Sequence, residues 1–344
     1  MAVLAHRQPD RVPVVPQAFL FACRSAGYTI GEINCNGKLL AESHRVCQEK
    51  YGYDGCVIDV DDASLAGACG AKVQFRTNDV ASVDEHDPLL TDIRQIHDLK
   101  LPDPWNDGRL PVWLEATQTL VDVIGDHVFI LAGADQGPFD LLCLLCGAQE
   151  FMMDLLTEEP EEITRALVWC TEAVRRFAAA QKQAGAHATS IGDAYAGPNV
   201  VSPQIYRDFA FQPERQLASA MKALEFPFSV HICGDSTSIL PEKVETGADI
   251  LEVDWKVDLA EASRLANGRA VLMGNANPSE PLVTGSPQQV SEAAKKALRD
   301  TAGHPFFLSS GCALGSNTPR ENLRALVEAA RLHGTFGNGP AWET

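Results

Sequence analysis

A histidine and two cysteines have the types and the spacing of a metal-binding set. His231 and Cys233 are two residues apart, so at an extended strand end their side chains point to the same face. Cys312 follows much later, directly after Gly311. Three nitrogen and sulfur ligands with an open fourth position are typical of a catalytic zinc, whereas structural zinc is normally closed by four protein ligands. The alternative is a coincidence of buried thiols and a solitary histidine.

The ligand types indicate which reaction a zinc ion would assist here. Two thiolates offset the +2 charge of the ion, and a substrate thiol in the open position would have its pKa lowered. Because such a ligand set is electron-rich, the bound sulfur stays nucleophilic, while hydrolytic zinc more often carries histidine and carboxylate ligands. The sequence therefore favours alkyl transfer to sulfur over hydrolysis.

Other polar or thiol motifs point less clearly to chemistry. Cys143 and Cys146 form C-x-x-C in an apolar segment, which predicts core packing. The acidic string 84–87 contains His86 and is typical of a solvated loop. A carboxylate cluster follows the second predicted strand, and we expect one of its members to face the active site, with helix entry or loop roles for the others: Asp59, Asp61 and Asp62.

Short apolar runs alternate with amphipathic stretches, which is the pattern of an α/β fold with a parallel sheet. Eight strands are predicted: Val12–Val15, Cys56–Val60, Val128–Ala132, Thr189–Gly192, Phe228–His231, Ile250–Val253, Ala270–Met273 and Phe306–Ser309. Eight helices are predicted: Ala41–Tyr51, Gly147–Glu158, Glu161–Ala184, Pro203–Leu224, Thr237–Thr246, Asp258–Asn267, Pro287–Ala302 and Pro319–Leu332.

This order predicts a (β/α)8 TIM barrel, in which active sites lie at the carboxyl ends of the strands. The region Gly52–Pro104 reads as one strand followed by a long excursion on that face. An open doubly wound sheet is the alternative, but the chain has no G-x-G-x-x-G or G-x-x-x-x-G-K-[ST] turn to support nucleotide binding.

Charge and cysteine content limit the partners and the compartment. The chain has 28 basic and 46 acidic residues, a net charge of −18, which disfavours nucleic acid and anionic membrane surfaces. No apolar run reaches membrane-spanning length and no signal peptide is evident, so we expect a cytoplasmic protein. Ten cysteines without a secretion signal predict reduced thiols.

Several segments resemble the uroporphyrinogen decarboxylase superfamily. They are Gly192–Gly197 with Ser202-Pro203, His231–Asp235, Met273–Asn275, Ser310–Cys312 and Asn317–Asn322, and the resemblance covers nearly the whole chain. It implies a single (β/α)8 barrel domain over residues 1–344. Decarboxylases of the superfamily carry Arg-Gln-Ala-Gly-Arg near the N-terminus, whose arginines bind porphyrin carboxylates. Here Pro16–Phe21 is followed by Arg24–Gly27, so that arginine motif is not conserved in this chain.

The other branch, the zinc-dependent corrinoid methyltransferases, carries His-x-Cys and a distant Cys as zinc ligands, and His231, Cys233 and Cys312 match that pattern. The resemblance implies Zn²⁺ as cofactor and methyl transfer between a corrinoid (methylcobalamin) on a separate corrinoid protein and a zinc-activated thiol or small methylated substrate. A metal-free decarboxylase-like lyase and a non-catalytic metal-binding barrel are the alternatives.

Further site residues are expected around this centre. Asp61 lies close to the place of the decarboxylase's catalytic aspartate, and we take Asp61 and Asp193 as candidate catalytic residues. Asp254, Asn275 and Asn277 are candidate contacts to cofactor or substrate. Helix capping and loop hydrogen bonds are the alternative role for Asp193 and these three residues.

Overall fold

The computed structural model describes residues 2–335, which contain a seven-stranded parallel sheet. The sheet has the strictly sequential order β1-β4-β5-β6-β7-β8-β9. The strands are β1 Gly55–Ile58, β4 Phe129–Gln136, β5 Ala188–Gly192, β6 Phe228–His231, β7 Ile250–Glu252, β8 Val271–Ala276 and β9 Phe306–Ser310; β2 Val73–Gln74 and β3 Ser82–Val83 form a separate antiparallel pair. A doubly wound sheet reverses its strand order at a switch point, and this sheet does not, so that alternative is wrong.

Helices connect the strands and cover the outer face of the sheet. They are α1 Phe19–Ala26, α2 Ile30–Ile33, α3 Gly37–Tyr51, α4 Ser64–Ala68, α5 Leu110–Ile124, α6 Pro138–Cys146, α7 Ala148–Thr157, α8 Pro160–Gln183, α9 Pro203–Ile205, α10 Phe211–Ala223, α11 Leu240–Glu245, α12 Leu259–Ala266, α13 Pro287–Asp300 and α14 Arg320–His333. None of the helices within residues 2–335 has the length and apolarity needed to cross a bilayer.

The two faces of the sheet build two separate apolar clusters, because side chains alternate along each strand. Leu131 of β4 and Phe307 of β9 belong to a small cluster on the inner face, while Ile130 and Phe306 belong to the large cluster beneath the helices. Both faces are therefore buried, as expected for a parallel sheet covered by crossover helices.

The sheet is curled, and its two ends approach each other. The rings of Phe129 on β4 and Phe307 on β9 stack with centroids 5.5 Å apart, although these are the second and last strands in the order. A flat seven-stranded sheet would keep them far apart, since neighbouring strands are spaced by about 4.8 Å.

The predicted strand Val12–Val15 is wrong as a strand, although the segment lies between the sheet ends. Val14 makes one isolated parallel bridge to Leu308 of β9, and its carbonyl accepts a hydrogen bond from the main-chain N–H of Asp54, just before β1. Pro13 and Pro16 flank the pairing residues and have no N–H to donate, so the ladder cannot extend into a regular strand. The other seven predicted strands are confirmed, with β4 and β8 running further than expected.

Five helices were not predicted, α1, α2, α4, α5 and α6, and one predicted helix is interrupted. Eight of the nine residues of α6 are buried, so the segment lacks the amphipathic period that reveals a surface helix. Helix α5 starts after Arg109 without a side-chain cap. The predicted helix Pro203–Leu224 passes through a π-helical stretch, Tyr206–Ala210, because Pro213 cannot donate to the preceding turn.

Candidate metal centre

The three predicted ligands meet at the carboxyl edge of the sheet. His231 is the last residue of β6, Cys233 follows two residues later, and Cys312 lies two residues beyond β9. Nε2 of His231 is 3.1 Å from Sγ of Cys233, which is 3.7 Å from Sγ of Cys312. All three ligand atoms lie within 4.8 Å of one another. Residues 79 positions apart are brought together because parallel strands end at one edge and the sheet curls.

Glycines let the two cysteine-bearing turns approach the centre. A Cβ on Gly311 would lie 2.4 Å from the main-chain nitrogen of Trp255, so only glycine fits before Cys312. Gly234, directly after Cys233, has φ of +85°, a left-handed conformation that favours glycine. The sequence pattern of glycine beside each cysteine therefore reflects close packing of these turns.

The two thiols do not ionise alike. The hydrogen bond from Cys233, together with the hydrogen bond and charge of His231, lowers the pKa of Cys312 to about 4. The same hydrogen bond, together with burial, raises the pKa of Cys233. Burial alone would lower the pKa of His231, but the hydrogen bond to Cys312 and the charges of Cys312 and Glu252 together raise it. The centre thus holds one thiolate readily and shares its remaining protons, which is a donor set suited to a cation.

A buried carboxylate that we did not predict lies behind His231. Oε2 of Glu252 is 3.9 Å from Nδ1 of His231, a buried ring nitrogen that has no hydrogen-bond partner among residues 2–335. Glu252 accepts hydrogen bonds from Nε2 of Gln17 at 2.8 Å, Oγ of Ser190 at 2.6 Å and Oγ of Ser229 at 2.7 Å. The signal was available in the sequence, since Glu252 is a charged residue inside an otherwise apolar strand.

The centre opens into a cavity of about 230 Å³. Val80, from the connection between β2 and β3, lines it, which agrees with the predicted excursion of Gly52–Pro104 over this face. Asp59 and Asp62 also line the cavity. Burial and then the Asp61 charge raise the pKa of Asp62 to about 6, although part of its side chain meets solvent. Burial, and next the charges of Asp62 and Asp135, raise the pKa of Asp59 well above its ordinary value.

Asp61, a predicted catalytic residue, lies in the cavity wall and is fully paired. Its carboxylate forms a bidentate ion pair with Arg109, with distances of 2.7 and 2.8 Å, and also accepts hydrogen bonds from Ala63 N–H and Ser64 Oγ. The side chain has no exposed surface. The structure therefore ties Asp61 to the start of α4 and to Arg109.

Asp193, the other predicted catalytic residue, is buried behind the cavity wall rather than among its lining residues. Its carboxylate accepts a hydrogen bond of 2.8 Å from the N–H of Asp140 in the first turn of α6. The Asp140 carboxylate in turn accepts from the N–H groups of Ala194 and Tyr195. Burial and the neighbouring Asp140 raise the pKa of Asp193. The pair thus joins the turn after β5 to α6.

The predicted cofactor contacts do not line the same cavity as the candidate metal ligands. Asn275 donates to the carbonyls of Asp254 and Val257, at 3.2 and 3.0 Å, and Asp254 accepts from the N–H of Lys256. Oδ1 of Asn277 accepts from the N–H groups of Ser279 and Glu280. Asn275 and Asn277 line a different cavity of about 450 Å³. These contacts are the loop hydrogen bonds named as the alternative.

The weaker motifs take the roles that the sequence predicted. Cys143 and Cys146 are buried in α6, and burial raises the pKa of Cys146 to about 12. Residues 85–87 are exposed in a turn. Neither group contributes to a metal cluster within the described part of the chain, where His231, Cys233 and Cys312 are the one set found.

The fold and this site agree with one family. The family model described as uroporphyrinogen decarboxylase matches residues 1–333, so the chain belongs to that family. The predicted resemblance is thereby confirmed.

Within the family, the similar proteins include methyltransferases. The chain is 31% identical over 334 residues to methylcobamide:CoM methyltransferase MtaA of Methanosarcina barkeri, covering 96% of this chain and 95% of that protein. It is 28% identical to methylcobamide:CoM methyltransferase MtbA of Methanosarcina acetivorans, with 94% of both chains covered. A solved methyltransferase from Methanosarcina mazei superposes with a TM-score of 0.87 at 26% identity, over 96% of each chain. The prediction of a methyltransferase enzyme in the corrinoid branch is confirmed by these relatives.

Proposed function

We propose that this protein transfers a methyl group between a corrinoid, carried by a separate protein, and a small thiol, using a zinc ion bound by His231, Cys233 and Cys312. The observation that carries the proposal is the meeting of these three side chains in one cavity. The similarity to methylcobamide:CoM methyltransferases supports the reaction type.

The three side chains fit a zinc ion. Zn–N and Zn–S bonds of about 2.1 and 2.3 Å in a tetrahedron set the ligand atoms roughly 3.6 Å apart. The separations of 3.1 and 3.7 Å bracket that value. Nδ1 of His231, facing Glu252, fits the arrangement in which a carboxylate orients a ligating imidazole through its second nitrogen. Three ligands leave one position for a substrate.

A bound zinc ion would lower the pKa of a substrate thiol and keep its sulfur nucleophilic at neutral pH. In the transfer, the thiol gives up its proton to solvent and its sulfur forms a bond to the methyl carbon of methylcobalamin. The Co–C bond breaks, and its electron pair remains on cobalt to give cob(I)alamin. The products are therefore a methyl thioether, cob(I)alamin and one proton.

We assign the other polar residues to positioning. Glu252 holds the ring of His231 in the orientation that turns Nε2 toward the cysteines. Asp61 with Arg109, and Asp193 with Asp140, hold the loops that form the cavity wall. Asp254 and Asn275 hold the loop after β7. This assignment uses Asp61 and Asp193 as supports rather than as proton donors.

We also propose that Pro13–Val15 serves as the eighth strand of a closed (β/α)8 barrel. Its hydrogen bonds to Leu308 on one side and to Asp54 on the other support closure. A closed barrel would bring all strand ends to one mouth, where a corrinoid protein could present its methyl group.

The decarboxylase alternative has less support. Porphyrin carboxylates need cationic partners, and among the described residues that line the cavity none is lysine or arginine. Arg109, just behind the wall, is already paired with Asp61.

Metal analysis combined with methylcobalamin spectroscopy tests the proposal. We expect about one zinc per chain, and thiol-dependent loss of the methylcobalamin spectrum with appearance of cob(I)alamin under anaerobic conditions. Cys233→Ala and Cys312→Ala should lose both the metal and the activity. Cys35→Ala, at an exposed cysteine outside the site, is the matched control. A protein that binds zinc but consumes no methylcobalamin with any thiol would contradict the proposal.

A further inference from the structure

Acidic side chains outnumber basic ones in the described walls of the metal-site cavity. Four carboxylate residues line it, Asp59, Asp61, Asp62 and Glu252. No lysine or arginine is among its described lining residues. The proposed zinc adds no net positive charge, because two thiolates offset its two charges.

Two of the four acidic side chains, Asp61 and Glu252, have polar or cationic partners behind the cavity wall. Asp61 is held by Arg109 in a bidentate pair with distances of 2.7 and 2.8 Å. Glu252 accepts hydrogen bonds from one amide and two hydroxyl groups, and the buried Lys243 lies close, with its Nζ 3.4 Å from the Glu252 carbonyl.

The other two carboxylates have no cationic partner within residues 2–335. Oδ1 of Asp62 accepts a hydrogen bond of 2.7 Å from Nε2 of Gln136. Oδ1 of Asp59 accepts a hydrogen bond from the adjacent N–H of Val60. Neither residue forms a salt bridge with a lysine or arginine of the described chain. Asp62 also lies within electrostatic range of Cys312 and His231.

We infer that the cavity selects a thiol that carries an ammonium group, with Asp62 and Asp59 as the residues that recognise it, and that it discriminates against thiols ending in sulfonate or carboxylate. This inference rests on the proposed function and names its acceptor class. An ammonium group would be the cationic partner that Asp62 and Asp59 do not find within residues 2–335. It would also donate hydrogen bonds to the Oδ2 atoms of their carboxyl groups. An anionic tail would meet the carboxylate of Asp62 in a partly desolvated cavity, with no lysine or arginine among the described lining residues to pair with it.

The size of the cavity limits the acceptor further. A volume of about 230 Å³ is below the usual range for drug-sized ligands, roughly 300–1,000 Å³. The acceptor is therefore a short aminothiol, with its sulfur at the metal centre and its nitrogen at the Asp62 wall.

Thiols that share a two-carbon spacer provide a matched test. The zinc-loaded protein is assayed for methylcobalamin consumption with 2-aminoethanethiol, 2-mercaptoethanol and 2-mercaptoethanesulfonate. Binding of the same thiols without methylcobalamin is measured by calorimetry. We expect kcat/KM and affinity to fall in that order, with the amine preferred over the sulfonate by about tenfold or more at low salt.

Asp62→Asn tests the assigned residue while preserving its shape and the acceptor for Gln136. We expect it to lower the preference for the amine over the sulfonate by about fivefold, with 2-mercaptoethanol little changed. Asp59→Asn should act in the same direction. Asp122→Asn, on the exposed side of α5, is the control and should leave the preference unchanged.

The possible failures are distinguishable. Methylation of the sulfonate thiol in preference to the amine by the wild-type protein would overturn this inference and leave the proposed function standing. An amine preference that survives in both Asp62→Asn and Asp59→Asn would overturn the assignment to these residues. Turnover of no thiol by zinc-loaded protein would overturn the proposed function, and this inference with it.

Discussion

At the scale of single residues, the centre depends on how the ring of His231 is held. Its Nε2 faces Cys233, while its Nδ1 is buried and faces Glu252. The carboxylate is itself fixed by hydrogen bonds from Gln17, Ser190 and Ser229. Because an imidazole can rotate about two bonds, this support lowers the entropy that a metal ion would have to offset on binding.

Glu252→Gln should therefore weaken zinc binding by about 10- to 100-fold without removing a ligand. The amide still accepts hydrogen bonds from the serines, but it lacks the charge that favours an Nδ1–H on His231. The measurement is zinc affinity by competition with a chelating dye.

Glu245→Gln, on the exposed end of α11, is the control and should bind zinc like the wild type. An unchanged affinity in a folded Glu252→Gln protein would show that Glu252 does not orient the ligand.

At the scale of elements, helix α10 carries a buried carboxyl group, that of Glu214. It contacts Tyr206, the first residue of the π-helical stretch that precedes α10. Oε2 of Glu214 accepts a hydrogen bond of 2.7 Å from the hydroxyl of Tyr206, and Oε1 is buried with no partner in the described part of the chain. Burial, and then the charge of Asp193, raise the pKa of Glu214 to about 8. This carboxyl is thus protonated in the folded protein at neutral pH, while the unfolded chain releases the proton near pH 4.

Since the folded-state pKa is raised, the unfolded state binds fewer protons, and stability should fall as pH rises from about 5 through 8. Glu214→Gln, which cannot ionise, should remove part of this loss. We expect its melting temperature to exceed that of the wild type by roughly 5 °C at pH 8 and to approach it at pH 5. Thermal unfolding across this pH range provides the measurement.

Glu225→Gln, exposed just beyond α10, should follow the wild-type pH profile. Parallel profiles for Glu214→Gln and the wild type would mean that Glu214 is ionised in the folded protein.

At the scale of the whole molecule, the curled sheet brings distant strand ends together. The segment before Pro16 joins β9 to the start of β1, and Asp54 anchors it. Its carboxylate pairs with Arg11 at 2.6 and 2.7 Å and accepts from the N–H of Val14 at 2.8 Å. These contacts join the two ends of the sheet, on which the distance between Cys233 and Cys312 depends.

Asp54→Ala removes three hydrogen bonds at this junction and should lower the free energy of unfolding by about 1–3 kcal/mol. The measurement is urea denaturation followed by circular dichroism. Glu49→Ala removes an exposed ion pair with Arg45 and should cost less than about 0.5 kcal/mol. Equal effects of the two substitutions would mean that the junction contributes no more than a surface pair.

The three candidate metal ligands and most strands could be predicted from the sequence because their signals are local. His231 and Cys233 share one strand end, and glycines beside both cysteines mark tight turns. The strands β5 to β9 are buried at nearly every position, and apart from His231 the one acidic or basic residue in them is Glu252. That residues 1–344 form one domain stays a prediction, and its last nine residues lie outside the described part of the chain.

Other features were decided only by tertiary structure, because they depend on partners far away in the sequence. In the sequence, nothing near Asp61 or Asp193 indicates a partner for either carboxylate. The fold pairs Asp61 with Arg109, and it places Asp193 against the N–H of Asp140. Helix α6 lacks a period because tertiary packing buries nearly all of it. The sequence by itself determined which ligand types the candidate centre offers, because these depend only on side-chain identity. The tertiary structure decided which carboxylates face the cavity uncompensated, because charge balance depends on long-range neighbours.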